Sequence, residues 1–500
     1  WNRIHHSDHN SDQIMSGKSA FVWVLVTSTW TILLKFSGAD YAAYRKYIQE
    51  QATNETFVKL FQEHLKLFQP SNGKALGFSD TFDCKQFPHP TRSATTVHSL
   101  TPYDVKVVGA MGDSITAGTG ITAVTVLGLL REDRGLSWSI GGIGGIDDHE
   151  TVPNALKFYN PSLAGFSTGS GSASSKYAHL NVAVAGETSS DIPRQAQELI
   201  NRMKKEPGVD FENDWKVITV FIGGNDLCDY CKDKETYSAE NYVSNIQKGL
   251  DILHAQVPRA FVNLVEVLNI AVVRQLNQNL LCDGLHFFLC GCAAYPLSKE
   301  AEEELAAEVI RYREETEKLI ATGRYDTRDD FTVVLQPFLK DTSVPMKDGC
   351  PDDYSCPDLS YFAPDCFHFS EKGHQAAAGA LWNNMIEPVS KKRTSWTPGE
   401  LVECPSATSP YFATNKNDKS IGNRLGGGYS ADQKESNSKP PGTDGSGAIS
   451  AVGLAVAVIS GACLCIVIAL FARRVYIRKR RSEENVLLLQ SNKSSLYPWI

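Results

Sequence analysis

The sequence lacks any excess of basic charge. Its 49 Lys and Arg are outnumbered by 57 Asp and Glu, giving a formal net charge of -8. That argues against nucleic acid as a partner, which selects for basic surfaces. It does not exclude lipid, because an acyl chain is held by apolar contact. Also lacking is a second Cys-x-x-Cys, or a His pair at ligand spacing, to accompany Cys228-x-x-Cys231. A zinc or redox site there is therefore less favoured than structural disulfides. No motif discussed below is repeated along the chain. The composition is not that of a disordered protein, with 42% hydrophobic and 21% charged residues. Five hundred residues exceed what one compact core usually uses, so a main domain with appendages is expected.

Long apolar runs are scarce, and the two present set the expected compartment. Ser19 to Leu34 follows Lys18 and is followed by Ser37-Gly38-Ala39. A basic residue, a short apolar stretch and a small-residue exit describe a secretory signal peptide, assigned to residues 15–39. Residues 1–14, which precede Met15, are expected to be upstream sequence outside the natural reading frame. The second run, 447–472, is uncharged and long enough to cross roughly 30 Å of hydrocarbon as a helix. Arg473, Arg474, Arg478, Lys479, Arg480 and Arg481 follow it. Basic residues stay cytoplasmic, so the expected topology is a single-pass type I protein at the plasma membrane, with residues 473–500 as a cytoplasmic tail. Before the span, 391–446 reads as a stalk rich in Asn, Lys, Ser, Gly and Pro. In the tail, Glu483-x-x-x-Leu487-Leu488 and Tyr497-Pro498-Trp499-Ile500 resemble signals read by sorting adaptors.

Ten of the twelve cysteines lie between these runs, and about five disulfides are expected in an oxidising compartment, with the pairing left open. Asn54-Glu55-Thr56 is an N-glycosylation acceptor. Residues 40–100 form an N-terminal extension, whose stretch from Tyr41 to Phe68 is amphipathic and reads either as a packed element or as a removable segment. From there β-branched runs at Val105–Val108, Leu180–Val184, Val217–Ile222, Phe261–Leu268 and Phe331–Leu335 alternate with helical stretches at Ser189–Lys205, Ala239–Ala255, Ser298–Ile320 and Glu371–Ile386. Such alternation predicts an α/β domain over residues 101–390, a mostly parallel sheet covered on both faces. Chemistry then gathers at the carboxyl ends of the strands, with 135–177 and 269–297 as loops that shape the substrate site.

Three strand ends carry reactive or small residues. Val107-Val108-Gly109-Ala110-Met111-Gly112-Asp113-Ser114 places a serine where a strand should give way to a helix. Asp365-Cys366-Phe367-His368 supplies a base and a carboxylate to orient it within one short loop. Gly186 after one apolar run, and Asn225 in Gly223-Gly224-Asn225-Asp226 after another, offer donors for an oxyanion. His374 is a weaker base candidate, and Asp147-Asp148-His149-Glu150 reads as a solvated loop more readily than as a metal cluster.

In order and spacing these blocks resemble the GDSL/SGNH hydrolase family. Arg134 to Gly142, Asn225-Asp226-Leu227-Cys228 and Phe362 to Ser370 are similar to its membrane-associated phospholipase B group. Members of that group carry tandem catalytic repeats, whereas one is found here, and Ile115 stands where the family name has Leu. The resemblance implies a three-layer α/β/α, flavodoxin-like sheet with Ser114 as nucleophile, His368 as general base and acid, and Asp365 as its orienter. The oxyanion hole would be the Gly186 N–H, the Asn225 amide and the Ser114 N–H. It implies hydrolysis of glycerophospholipid and lysophospholipid esters outside the cell, without cofactor or calcium. A broader acylglycerol or retinyl esterase, and a non-catalytic receptor or adhesion ectodomain, are the competing readings.

Overall fold

Short β-branched runs flanked by small residues favour buried parallel strands, and four of them form the centre of the molecule in a computed structural model. The structure describes residues 41–68, 82–88, 93–347 and 356–418. Strands β1 (Val105–Gly112), β2 (Trp215–Phe221), β3 (Ala260–Val265) and β4 (Phe331–Gln336) pair in parallel in the order β1-β2-β3-β4. The helices in chain order are α1 (Tyr41–Gln51), α2 (Glu55–Leu65), α3 (Ser114–Ala117), α4 (Val152–Tyr159), α5 (Ile192–Met203) and α6 (Gly224–Asp229). They continue with α7 (Ala239–Gln256), α8 (Leu280–Leu289), α9 (Gly291–Ala294), α10 (Lys299–Ala321) and α11 (Glu371–Ile386).

Alternation along the strands splits the interior in two. Ile218, Val220, Val262 and Leu264 join Leu199 of α5, Leu250 of α7 and Val309 of α10 in one core. Val217, Phe221, Phe261 and Val265 join Leu156 of α4 and Trp382 of α11 in the other. The strands are thus buried on both faces, as a parallel sheet requires. A third cluster gathers Tyr44, Ile48, Phe57 and Phe61 of the first two helices with Leu285 and Phe288 of α8.

The fifth predicted strand, Leu180–Val184, is not a regular one. It runs beside β1, with Ala110 N–H donating to the Leu180 carbonyl and Val182 N–H to the Ala110 carbonyl, both at 3.0 Å. Its outer carbonyls, on Asn181 and Ala183, accept from the Arg134 guanidinium at 3.2 and 2.8 Å, so a side chain caps the edge in place of another strand. After β1 the chain passes to this edge and then returns to β2 on the other side. The crevice at the carboxyl end of β1 is therefore the topological switch point.

The connection 269–297, expected as a loop, is largely helical. Leu281, Leu285, Phe288 and Leu289 are buried along α8. Asn279 caps that helix by accepting from the N–H groups of Leu281 and Cys282. Disulfides join Cys84–Cys404, Cys228–Cys290, Cys231–Cys292 and Cys282–Cys366, and Cys356 is disulfide-bonded as well. The Cys-x-x-Cys pair thus serves two bridges to the segment after α8. Part of the stretch read as a stalk lies on the domain: Phe412 is buried, and its N–H donates to the Leu100 carbonyl at 2.9 Å. Among the described residues no helix is long and apolar enough to cross a membrane. The expected signal peptide, the span at 447–472 and the tail lie outside the described residues.

Candidate active site

β1 ends at Gly112, and Ser114 opens the single turn of α3, with the Asp113 carboxylate capping it by accepting from Ile115 N–H at 3.0 Å. Gly112 is held from the side by Gln195 of α5, which accepts from its N–H at 2.7 Å and donates to its carbonyl at 2.8 Å. Ser114 is buried, and its Oγ lies 2.8 Å from His368 Nε2. On the far side of the imidazole, Nδ1 lies 2.6 Å from Asp365 Oδ2. The other carboxylate oxygen, Oδ1, accepts from the N–H groups of Phe367 at 3.1 Å and His368 at 3.0 Å. Burial pushes the Asp365 carboxyl up, but the imidazole and these N–H donors outweigh it and hold the group below its usual range. Serine, imidazole and carboxylate thus form one continuous hydrogen-bonded line. The carboxylate is ionised and fixed, which sets Nδ1 as the protonated nitrogen and leaves Nε2 to accept from the serine.

The loop carrying this pair is tied at many points. Phe362 bridges Phe369 in antiparallel fashion, and Ala363 N–H donates to the His368 carbonyl at 2.7 Å. Cys366 takes φ +61, unusual for a residue with a Cβ, and is bonded to Cys282 of α8. His286 Nε2 lies 2.8 Å from the Cys366 carbonyl, and His64 Nε2 lies 2.7 Å from the Pro364 carbonyl. Ser370 caps α11 directly after the loop.

Gly186 and Asn225 face the same small cleft that Ser114 and His368 line. Gly186 has φ +85, and a Cβ there would sit 2.7 Å from a side-chain atom of Tyr41, so only glycine fits. Asn225 donates through Nδ2 to the Glu187 carbonyl at 2.8 Å, which couples the two donor segments and leaves the second amide proton for a ligand. Asp226 repeats the coupling one residue on, accepting from Ser189 N–H at 2.9 Å and Ser189 Oγ at 2.6 Å. Burial pushes its carboxyl up to about 6 against these donors, and pushes Asp113 up to about 7.

A second and larger cavity also has Ser114 in its lining. Leu268, Val273, Leu276, Phe338, Phe369 and Ala376 are among its walls, with Asp113, Ser114 and Asn225 at its mouth. Among the described residues, no charged side chain other than Asp113 lines it.

Three further sequence candidates lie elsewhere. His374 is buried in α11, its Nδ1 accepting from Trp138 N–H at 3.2 Å, and burial pushes it down to about 3, so it stays neutral. His149 pairs with Glu371 at 2.8 Å. Asn54 is exposed at the start of α2, where its Oδ1 caps the helix. The sequence did not signal Tyr41, Tyr44 or His64 as neighbours of the site. The amphipathic period of their segment marked only a buried face. His64, Cys282 and Cys366 converge within 4.8 Å, but the two sulfurs are bonded to each other and offer no thiolate.

The family described as GDSL-like Lipase/Acylhydrolase matches residues 108–381. A human protein described as phospholipase B1, membrane-associated, is 48% identical over 332 residues, covering 65% of this chain and 22% of that protein. The rat protein of the same description is 45% identical over 357 residues, covering 69% of this chain and 24% of that protein. The chain therefore spans less than a quarter of the length of these relatives. Among solved structures, the lipase Lip_vut3 from a goat rumen metagenome overlaps 57% of this chain and all of its own at 14% identity, with a TM-score of 0.31. So low a score carries no weight for the fold, which rests on the topology described above.

Proposed function

The chain belongs to the GDSL-like lipase/acylhydrolase family, and from that premise we propose that it is a membrane-anchored ecto-phospholipase B, releasing fatty acids from glycerophospholipids and lysophospholipids. The observation that carries this reading is the apolar cavity lined by Ser114 together with Leu268, Val273, Leu276, Phe338 and Phe369. A short acyl group would leave these apolar walls uncovered, whereas a long acyl chain gains about 0.8 kcal/mol for each methylene it buries. The anchor proposed is the apolar run 447–472 with its basic flank, in keeping with relatives described as membrane-associated. Asn54 is proposed to carry a glycan.

In this reading Ser114 Oγ attacks the ester carbonyl while its proton passes to His368 Nε2. Asp365 keeps the imidazole oriented and stabilises the imidazolium that forms. The oxyanion is received by the Gly186 N–H, the Asn225 amide and the Ser114 N–H. As the tetrahedral species collapses, His368 returns the proton to the departing glycerol oxygen, leaving an acyl group on Ser114. A water then gives a proton to His368 and attacks the acyl carbonyl, and the fatty acid departs as Ser114 regains its proton. Every step is a proton or acyl transfer within the hydrogen-bonded line described above.

The test is fluorophosphonate labelling of the full-length protein, together with release of acyl chains from phospholipids labelled at either position. Labelling and hydrolysis by wild type, both lost in Ser114→Ala, are expected. Wild type that neither labels nor hydrolyses, or a Ser114→Ala variant that does both, would refute the proposal.

A further inference from the structure

The first two helices touch the candidate site at three separate places. Tyr44 of α1 is fully buried, and its hydroxyl donates to Asp365 Oδ2 at 3.4 Å, the same oxygen that faces His368 Nδ1. His64 of α2 reaches the carbonyl of Pro364, the residue before Asp365, at 2.7 Å. Tyr41 of α1 shares the cleft with Ser114, Gly186, Asn225 and His368, its side chain standing against the Gly186 backbone. Tyr44 lies behind Asp365 and lines neither cavity.

We infer that the helical pair 41–65 is a fixed part of the active site, in which Tyr44 is a positioning residue that acts on His368 through Asp365. The inference rests on the functional reading above and extends it to a segment outside the matched family region, which begins at residue 108. The Asp365 carboxylate accepts from two backbone N–H groups through Oδ1 and faces His368 Nδ1 through Oδ2, which keeps one further acceptor direction. A donor in that direction adds to the network that holds the carboxylate against the imidazole. The 3.4 Å separation is long for an O–H donor, as is common for hydrogen bonds of an active site without substrate. The phenol is pushed well above its ordinary pKa by burial and by the Asp365 charge, so it stays protonated and can only donate to the carboxylate. Burial of Phe57 and Phe61 against α8 holds the pair in place without a covalent link, since none of the described disulfides involves residues 41–68. Removal of the segment would strip Asp365 of this contact and open one wall of the cleft.

The experiment is a double-mutant cycle on the full-length protein, with a soluble activated ester as substrate, read at a temperature where each variant is folded. Tyr44→Phe keeps the ring and is expected to lower kcat roughly tenfold, the usual weight of a donor to a charged group, with KM within about twofold. Tyr411→Phe, exposed and in the lining of neither cavity, should be neutral. In an Asp365→Asn background, Tyr44→Phe should cost little more, because its target has already been altered. Full kcat in Tyr44→Phe, or losses that multiply through the cycle, would overturn the inference while leaving the hydrolase reading intact. Wild type without Ser114-dependent hydrolysis would overturn both.

Discussion

Ala376→Trp tests the large cavity directly. Ala376 lies on α11, half-buried, with its side chain in the cavity wall. Ala376 lines the cavity and is only half-buried, so an indole there is expected to fill cavity space without displacing the helix. Helix propensity costs about 0.5 kcal/mol, too little to unfold the domain. Each methylene kept out of the cavity forfeits about 0.8 kcal/mol of transition-state binding, close to fourfold in kcat/KM. Exclusion of three methylenes should therefore cost roughly fiftyfold. An acetyl ester places nothing there and should change less than about twofold, since only chain burial distinguishes the substrates. The assay is kcat/KM for p-nitrophenyl esters from acetyl to palmitoyl. A profile lowered by the same factor at every length would show that the acyl chain does not occupy this cavity.

Asn225→Ala removes one proposed oxyanion donor and should cost on the order of 3 kcal/mol in kcat, leaving trace activity measurable against Ser114→Ala. Arg134→Met should lower stability by about 1–3 kcal/mol in denaturant melts, because it leaves half-buried Glu132 and the carbonyls of Gly171, Asn181 and Ala183 without their donor. A loss below 1 kcal/mol would mean that the edge beside β1 holds without it. The carboxyl of Asp113 rises from an ordinary 3.8 to about 7 on burial. The folded state therefore binds more protons than the unfolded one across that window, and ionisation of Asp113 works against folding as pH rises through it. Asp113→Asn keeps the cap and escapes this loss, so its melting temperature relative to wild type should climb between pH 4 and 7. Parallel curves would remove Asp113 from the pH dependence.

Legibility in the sequence followed the range of the interactions involved. Strands β1 to β4 and helices α7, α10 and α11 were readable because their periods are local, and their ends carry local signals such as the caps Ser238, Ser298 and Ser370. Leu180–Val184 misled because its β-branched composition is that of a strand. What decides its state is Arg134, some fifty residues away, taking its outer carbonyls. The helix α8 was missed because a run rich in Leu, Phe and Cys carries no clear period in a long connection. Its existence depends on packing against the first two helices and on the disulfides of Cys282 within it and Cys290 just after it. The four blocks of the site were visible as types and order. The clamps Asp226–Ser189 and Asn225–Glu187, which hold the donor segments together, were not, since each joins residues 37 or 38 apart across two strand ends.

The spacing Asp365-x-x-His368 makes a local pair, yet its partner Ser114 is 254 residues away, and a separation of 2.8 Å must be held without help from chain connectivity. A four-residue loop with Cys366 at φ +61 would not keep that register alone, because a left-handed non-glycine residue stores strain that its surroundings must offset. Three different segments do so. The disulfide to Cys282 and the His286 contact come from α8, the His64 and Tyr44 contacts come from the N-terminal pair, and the Ser370 cap comes from α11. Two of the three lie on the cluster that joins α1, α2 and α8, so His368 and Asp365 are referenced to that cluster, while Ser114 and the proposed donor Asn225 follow strand ends and the proposed donor Gly186 follows the segment beside β1. A substitution in the third core cluster, such as one at Phe57 or Phe288, should accordingly move His368 relative to Ser114 before it unfolds the sheet. Reactivity of the serine is then the more sensitive measure of damage to that cluster than any melting temperature.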